Sequence, residues 1–131
     1  MRRVLVLAVI VMVYFGWFEF RRQWSEEPAP VPSELPVRGT VTMIDLGARQ
    51  CIPCQMMEPI LKELEKEYQE LAAVVFIDVN KNVAEGHKYR IRSIPTQIFY
   101  DRDGNEVYRH EGFLDKASIV AQLERLGVEK Q

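Results

Sequence analysis

Cys51 and Cys54 are the only two cysteines of the chain, and Ile52 and Pro53 separate them. A thiol pair at this spacing suits thiol–disulfide exchange: one sulfur attacks an external disulfide, and the second reaches back to the mixed disulfide and releases the product. Position adds to the spacing. Cys51 follows an apolar, β-branched run and opens a helical pattern, so unpaired backbone N–H groups and the positive end of the helix favour its thiolate. Pro53 fits the first helical turn and stiffens the loop. Cys54 falls in that same turn and is placed to resolve.

Other uses of the pair compete with exchange. A tetrahedral zinc site needs four ligands, and only His87 and His110 remain as partners, on different elements and without matching spacing. A purely structural disulfide would close so small a loop that it constrains little of the unfolded chain. A third reading is a binding or adaptor module that uses the sulfurs as soft ligands for Cu(I) or zinc. Disulfide turnover without metal separates exchange from that module.

Asp45 precedes the pair on the apolar run. It shares a strand face with Val41 and Met43, which puts a carboxyl in a row expected to be buried beneath the cysteine loop. Burial raises a carboxyl pKa, and a carboxyl in that position is suited to pass protons to and from Cys54. The competing reading makes Asp45 a cap at an exposed strand end.

The rest of the chain must position these groups. With 131 residues there is room for one ordinary domain and an appendage, and apolar and charged fractions of 47% and 27% are those of a globular chain. The formal charge of −2 comes from interspersed signs without a basic face, which argues against nucleic-acid binding. Two cysteines are too few for the disulfide framework of a small secreted scaffold.

Residues 1–22 form a separate object. Val4 to Phe18 carries no charge, between Arg2 and Arg3 on one side and Glu19, Arg21 and Arg22 on the other. Its 15 residues would span about 22 Å as a helix, short of a hydrocarbon core of roughly 30 Å, so length does not separate a signal-peptide core from a thin membrane span. The flank favours an uncleaved anchor. Tyr14, Phe15, Trp17, Phe18 and Phe20 suit an interfacial belt and leave no small-residue cleavage pattern. The arginines on both sides nearly balance, so orientation is open under the positive-inside rule. Residues 23–37 contain four of the seven prolines and read as an extended linker or an ordered lead-in to the first strand. Residues 38–131 are the expected folded unit.

Within that unit, residues 40–46 and 73–79 read as buried strands. Between them Met57, Ile60, Leu61, Leu64, Tyr68 and Leu71 recur at helical spacing, which makes a β-α-β unit with parallel strands. Pro59 should bend that helix. A short helix over 83–89, strands over 96–100 and 106–110 joined by Asp101-Arg102-Asp103-Gly104, and a last helix capped by Asp115 and stopped at Gly127 complete the pattern. The fold class is α/β, a mixed sheet with helices on its faces.

Taken together, these residues resemble the thioredoxin family over about residues 40–127. The stretch Ile44-Asp45-Leu46-Gly47-Ala48-Arg49-Gln50-Cys51-Ile52-Pro53-Cys54 is similar to the family's active-site strand and loop, with an acid six positions before the first cysteine. Pro59 matches the proline in the active-site helix, and Tyr89 to Thr96 resembles the segment that bears the family's cis-proline, here Pro95. Gly112 resembles the glycine after the last strand. Departures are visible too: Gly47 and Gln50 stand where the family carries tryptophans, Ile52 replaces the loop glycine, and Val74 replaces the lysine that partners the buried acid. No first strand and helix of the family's kind is apparent, which leaves a sheet of four or five strands.

The resemblance implies a thioredoxin-like fold and protein-disulfide oxidoreductase activity, with Cys51, Cys54 and Asp45 as catalytic groups. It implies a cis bond at Ile94-Pro95, with the Ile94 backbone pairing with an extended substrate and Ile52, Pro53 and Gly112 bordering the site. No bound cofactor or metal is expected. The expected partners are protein thiols and disulfides and a membrane thiol-transfer protein, acting on a monomer anchored with its catalytic domain outside the cytoplasm.

Overall fold

The computed structural model describes Met12, Tyr14 and residues 34–130. The chain divides into two compact units, Met1–Pro30 and Val31–Gln131. The expected anchor and most of the linker therefore fall outside the described residues, apart from Met12 and Tyr14. Among the described residues no helix is long and apolar enough to cross a membrane.

The second unit runs β1 (Val41–Gly47), α1 (Ile52–Glu67), β2 (Ala72–Asp78), α2 (Val83–Lys88), β3 (Thr96–Tyr100), β4 (Glu106–Glu111) and α3 (Lys116–Arg125). Four strands form one sheet in the order β2-β1-β3-β4, so of the four or five expected, four are present among the described residues. β1 pairs parallel with β2, across the α1 crossover, and antiparallel with β3; β3 pairs antiparallel with β4. All seven residues of β1 are buried, as a central strand covered on both faces must be.

Alternation along the strands makes two cores. Val41, Met43, Val74 and Phe99 point to the side of α1 and α3, where they meet Met57, Leu61, Leu64, Ile119 and Leu123. Ile44, Leu46, Val75, Ile77, Ile98 and Tyr100 fill the other face with Tyr89, and Leu35 packs against them from the end of the proline-rich stretch. Each fully buried side chain of this size contributes roughly 1.5–3 kcal/mol relative to exposure.

The first helix differs from its sequence pattern at its end. It continues through Pro59, and it stops at Glu67, where Tyr68 caps it. Leu71, expected on its apolar stripe, lies beyond the helix and is 40% exposed. The last helix has the expected ends. Asp115 accepts the Ser118 N–H at 2.9 Å, and Gly127 at φ +76° closes the other end while Val128 N–H reaches the Leu123 carbonyl at 3.0 Å. Lys116 bridges Glu63 and Glu67, each at 2.7 Å, and so ties α3 to α1 on the surface.

Candidate redox site

β1 ends beside the start of α1, and the cysteines occupy that junction. Ala48 to Cys51 makes a tight turn closed by the Cys51 N–H on the Ala48 carbonyl at 3.1 Å. Cys51 is the N-cap of α1, with extended backbone at φ −86° and ψ 119°. Its sulfur accepts the Cys54 N–H at 3.3 Å, the part a serine or aspartate oxygen plays at other helix starts. Cys51 and Cys54 are joined as a disulfide with Cα atoms 5.2 Å apart. Their exposure differs: Cys51 is half-buried, whereas Cys54 is 4% exposed.

A second segment approaches from β3. The Ile94-Pro95 peptide is cis, and the Ile94 carbonyl oxygen lies 3.8 Å from Cys51 Sγ. Thr96 Oγ1 donates to the Ser93 carbonyl at 2.7 Å, and Ser93 Oγ to Glu111 at 2.9 Å, so the loop is held from both ends. The Gly112 N–H donates to the Pro95 carbonyl at 2.8 Å. Gly112 takes φ +100°, a backbone region that L side chains rarely adopt, which accounts for glycine at this return of the chain. Ile94, Pro95 and Gly112 are thus gathered beside Cys51, and Ile52, 72% exposed, stands on the open side of the loop with Pro53.

Asp45 lies on the α1 side of β1 and is fully buried. Burial pushes its pKa from 3.8 up to about 6, and a hydrogen bond from Gln97 acts in the opposite direction. Gly47, one step along the same strand face, runs directly under the disulfide. A Cβ there would come within 3.1 Å of the Phe76 ring and 3.2 Å of Cys54 Sγ. The small residue where the family carries a tryptophan therefore makes room for an aromatic from the neighbouring strand. Gly47→Ala is expected to destabilise the oxidised domain by about 1–2 kcal/mol through overpacking; an unchanged urea midpoint would refute the tight contact. Gln50, at the other tryptophan position, accepts a hydrogen bond from Asn80 at 3.0 Å and ties the loop to the end of β2.

Two neighbours escaped the sequence pattern. Gln97 donates from Nε2 to Asp45 Oδ1 at 2.7 Å, and Phe76 sits across from Asp45 on β2. Only the strand register puts them together. Among the described residues no three His, Cys, Asp or Glu side chains converge as a metal set. A cavity of about 440 Å³ between α2 and the outer strands, lined in part by Tyr89, Arg90, Arg92 and Arg109, includes neither cysteine.

Known proteins are similar to this chain in sequence and fold. The family model described as Thioredoxin matches residues 33–125. The thioredoxin of Staphylococcus aureus is 35% identical over 89 residues, covering 68% of this chain and 85% of that protein. The crystal structure of chloroplastic thioredoxin z is similar with a TM-score of 0.62 at 29% identity, covering 70% of this chain and 82% of that one. The germline-specific thioredoxin Deadhead of Drosophila melanogaster gives 0.60 at 30% identity, covering 67% and 82%. The matched span contains the cysteine turn, the buried acid and the cis-proline loop, and the chain accordingly belongs to the thioredoxin family, as a protein-disulfide oxidoreductase with Cys51 and Cys54 as its redox pair.

Proposed function

We propose that the chain is a protein-disulfide reductase that works outside the cytoplasm, held at the membrane by residues 1–22. The observation that carries the catalytic part is the unequal burial of the two sulfurs, with the more accessible Cys51 capping a helix whose N–H groups favour a thiolate. In the reduced protein Cys51 attacks one sulfur of a substrate disulfide; that S–S bond breaks and the other substrate sulfur leaves as a thiolate. Cys54 then gives up its proton to the Asp45 carboxylate and attacks Cys51 Sγ. The mixed disulfide breaks, the second substrate sulfur departs, and the Cys51–Cys54 disulfide remains. The Ile94 backbone pairs with an extended substrate beside Cys51, with Ile52, Pro53 and Gly112 as the rim.

The cycle needs electrons, and a membrane dithiol partner is the source that fits an anchored domain. Support for the location is the apolar, aromatic-edged segment Val4 to Phe18 and the proline-rich stretch behind it. In this reading the working unit is a monomer. In intact cells, a membrane-impermeant maleimide should label Cys51 after mild reduction, without lysis. Labelling that requires lysis would contradict the extracytoplasmic placement.

A further inference from the structure

Asp45 is opposed across the sheet by Phe76 on β2 and Gln97 on β3, and Gln97 in turn by His110 on β4. Gln97 and Asp45 are both fully buried, on the face covered by α1. In an interior of this kind a lone carboxylate is costly unless something donates to it. The expected cation is missing: Val74, where the family carries its lysine, belongs to the apolar core. Gln97 supplies the donor instead, spending one amide hydrogen on Asp45 Oδ1 at 2.7 Å and the other on Met57 Sδ at 3.0 Å. Met57 follows Cys54 by three residues, and both lie on the buried face of α1, so the amide is tied to the helix face that carries the resolving cysteine.

Two buried oxygens of this pair, Asp45 Oδ2 and Gln97 Oε1, have no hydrogen-bond partner among the described residues. A cationic partner only donates, but an amide also accepts. We propose that Gln97 is a positioning residue whose side-chain amide follows the proton on Asp45, donating from Nε2 to the carboxylate and turning to accept through Oε1 from the protonated carboxyl. Each orientation satisfies one protonation state, so neither is locked in as the lysine's fixed charge would lock the anion. The S–H bond of Cys54 breaks, an O–H bond forms on Asp45, no bond between heavy atoms changes, and one amide rotates about its terminal torsion. This deepens, and rests on, the proton-acceptor role given above to Asp45.

The other groups around the pair leave this assignment intact. From α1 come the buried Cys54 and Met57, from β2 Phe76 opposite Asp45, and α3 adds the apolar Ile119 and Leu123 to the core that contains Met57. His110 is the second titratable group in the row, its Nε2 3.2 Å from the Phe113 carbonyl oxygen.

The test follows the Asp45 carboxyl carbon and the Gln97 side-chain amide by NMR in the full chain, reduced and held in detergent micelles, from about pH 4 to pH 9. The Gln97 amide signals should shift with the same midpoint as the Asp45 carbon, and in Asp45→Asn they should be flat. In Gln97→Leu, which removes donor and acceptor while keeping the bulk, both forms of Asp45 lose a partner, but the bond to the charged carboxylate is the stronger of the two, so the Asp45 midpoint should rise by about one unit, a tenfold change in proton affinity. The acid limb of disulfide turnover should move with it. Amide signals that ignore the Asp45 transition in the unaltered chain overturn the proposal even if Gln97→Leu does not fold, and so does an unmoved Asp45 midpoint in a folded variant. Because these readings are of titration, they stand apart from turnover in Asp45→Asn, whose insensitivity would instead remove the relay role.

Discussion

Replacing Asp45 with asparagine is expected to stabilise the domain at pH 8 by about 3 kcal/mol and to slow disulfide turnover at the same time. The stability follows from the proton equilibrium. Asp45 carries a folded pKa of about 6 against 3.8 when unperturbed, because burial disfavours its charge. At a given pH between these values the folded chain binds more protons than the unfolded one, so stability falls as pH rises. The contribution is fully present below about 3.8, erodes through the interval, and is lost above about 6. At about 1.4 kcal/mol per pKa unit, that rise places about 3 kcal/mol in the penalty of the buried anion. Asparagine has no anion to bury and still accepts from Gln97. Urea unfolding should therefore give Asp45→Asn a clear advantage at pH 8 that shrinks toward pH 4, and a melting temperature ten degrees or so higher at the upper pH. An advantage of equal size at both pH values would mean that something other than ionisation is responsible. Turnover should slow because Cys54 loses its proton acceptor, with a loss of about ten- to a thousandfold.

Cys51→Ser is expected to abolish disulfide reduction, a loss of at least about a thousandfold, since the hydroxyl left at the helix cap is a far weaker nucleophile. Cys54→Ser should behave differently. The buried sulfur at 4% exposure is positioned to resolve rather than to attack, so its removal leaves the first step intact and the mixed disulfide stranded. Incubating Cys54→Ser with a disulfide substrate should yield a covalent adduct at Cys51, detected by intact mass and released by added dithiol. An adduct at Cys54 in Cys51→Ser, with none in Cys54→Ser, would reverse the assigned roles.

The parts of this site that local pattern specifies are legible in the sequence alone. A β-branched run, a cysteine at a helix start and a proline in the first turn place Cys51 and Cys54 without knowledge of the fold, and alternation along β1 alone puts Asp45 in the buried row. Strands β3 and β4 and the ends of α3 came from turn residues and caps of the same local kind. What local pattern lacks is strand order. Gln97 sits in an apolar strand as a polar residue with no evident partner, and only the antiparallel pairing of β1 with β3 sets it against Asp45. Phe76 is similar: its place beneath the disulfide depends on β2 being the other neighbour of β1 and on Gly47 having no side chain. The cis bond at Pro95 came from family likeness, since nothing in Ser93-Ile94-Pro95-Thr96 by itself distinguishes cis from trans. Periodicity puts Leu71 on the helical stripe because it continues past the point where Tyr68 caps the helix.

The proposed reductase role requires that the oxidised pair be the favoured form, and the site offers a reason for it. An anionic Asp45 beneath Cys54 opposes a second negative charge in the reduced protein, without a lysine to offset it. The measurement that tests this most directly is the reduction potential of the Cys51–Cys54 couple, equilibrated in glutathione buffers and followed by thiol alkylation at neutral pH. A single two-electron transition at or below roughly −230 mV, within reach of thioredoxin's approximately −270 mV, is the expected result. A value near −120 mV, the range of strong disulfide donors, would contradict it and make the protein an oxidant.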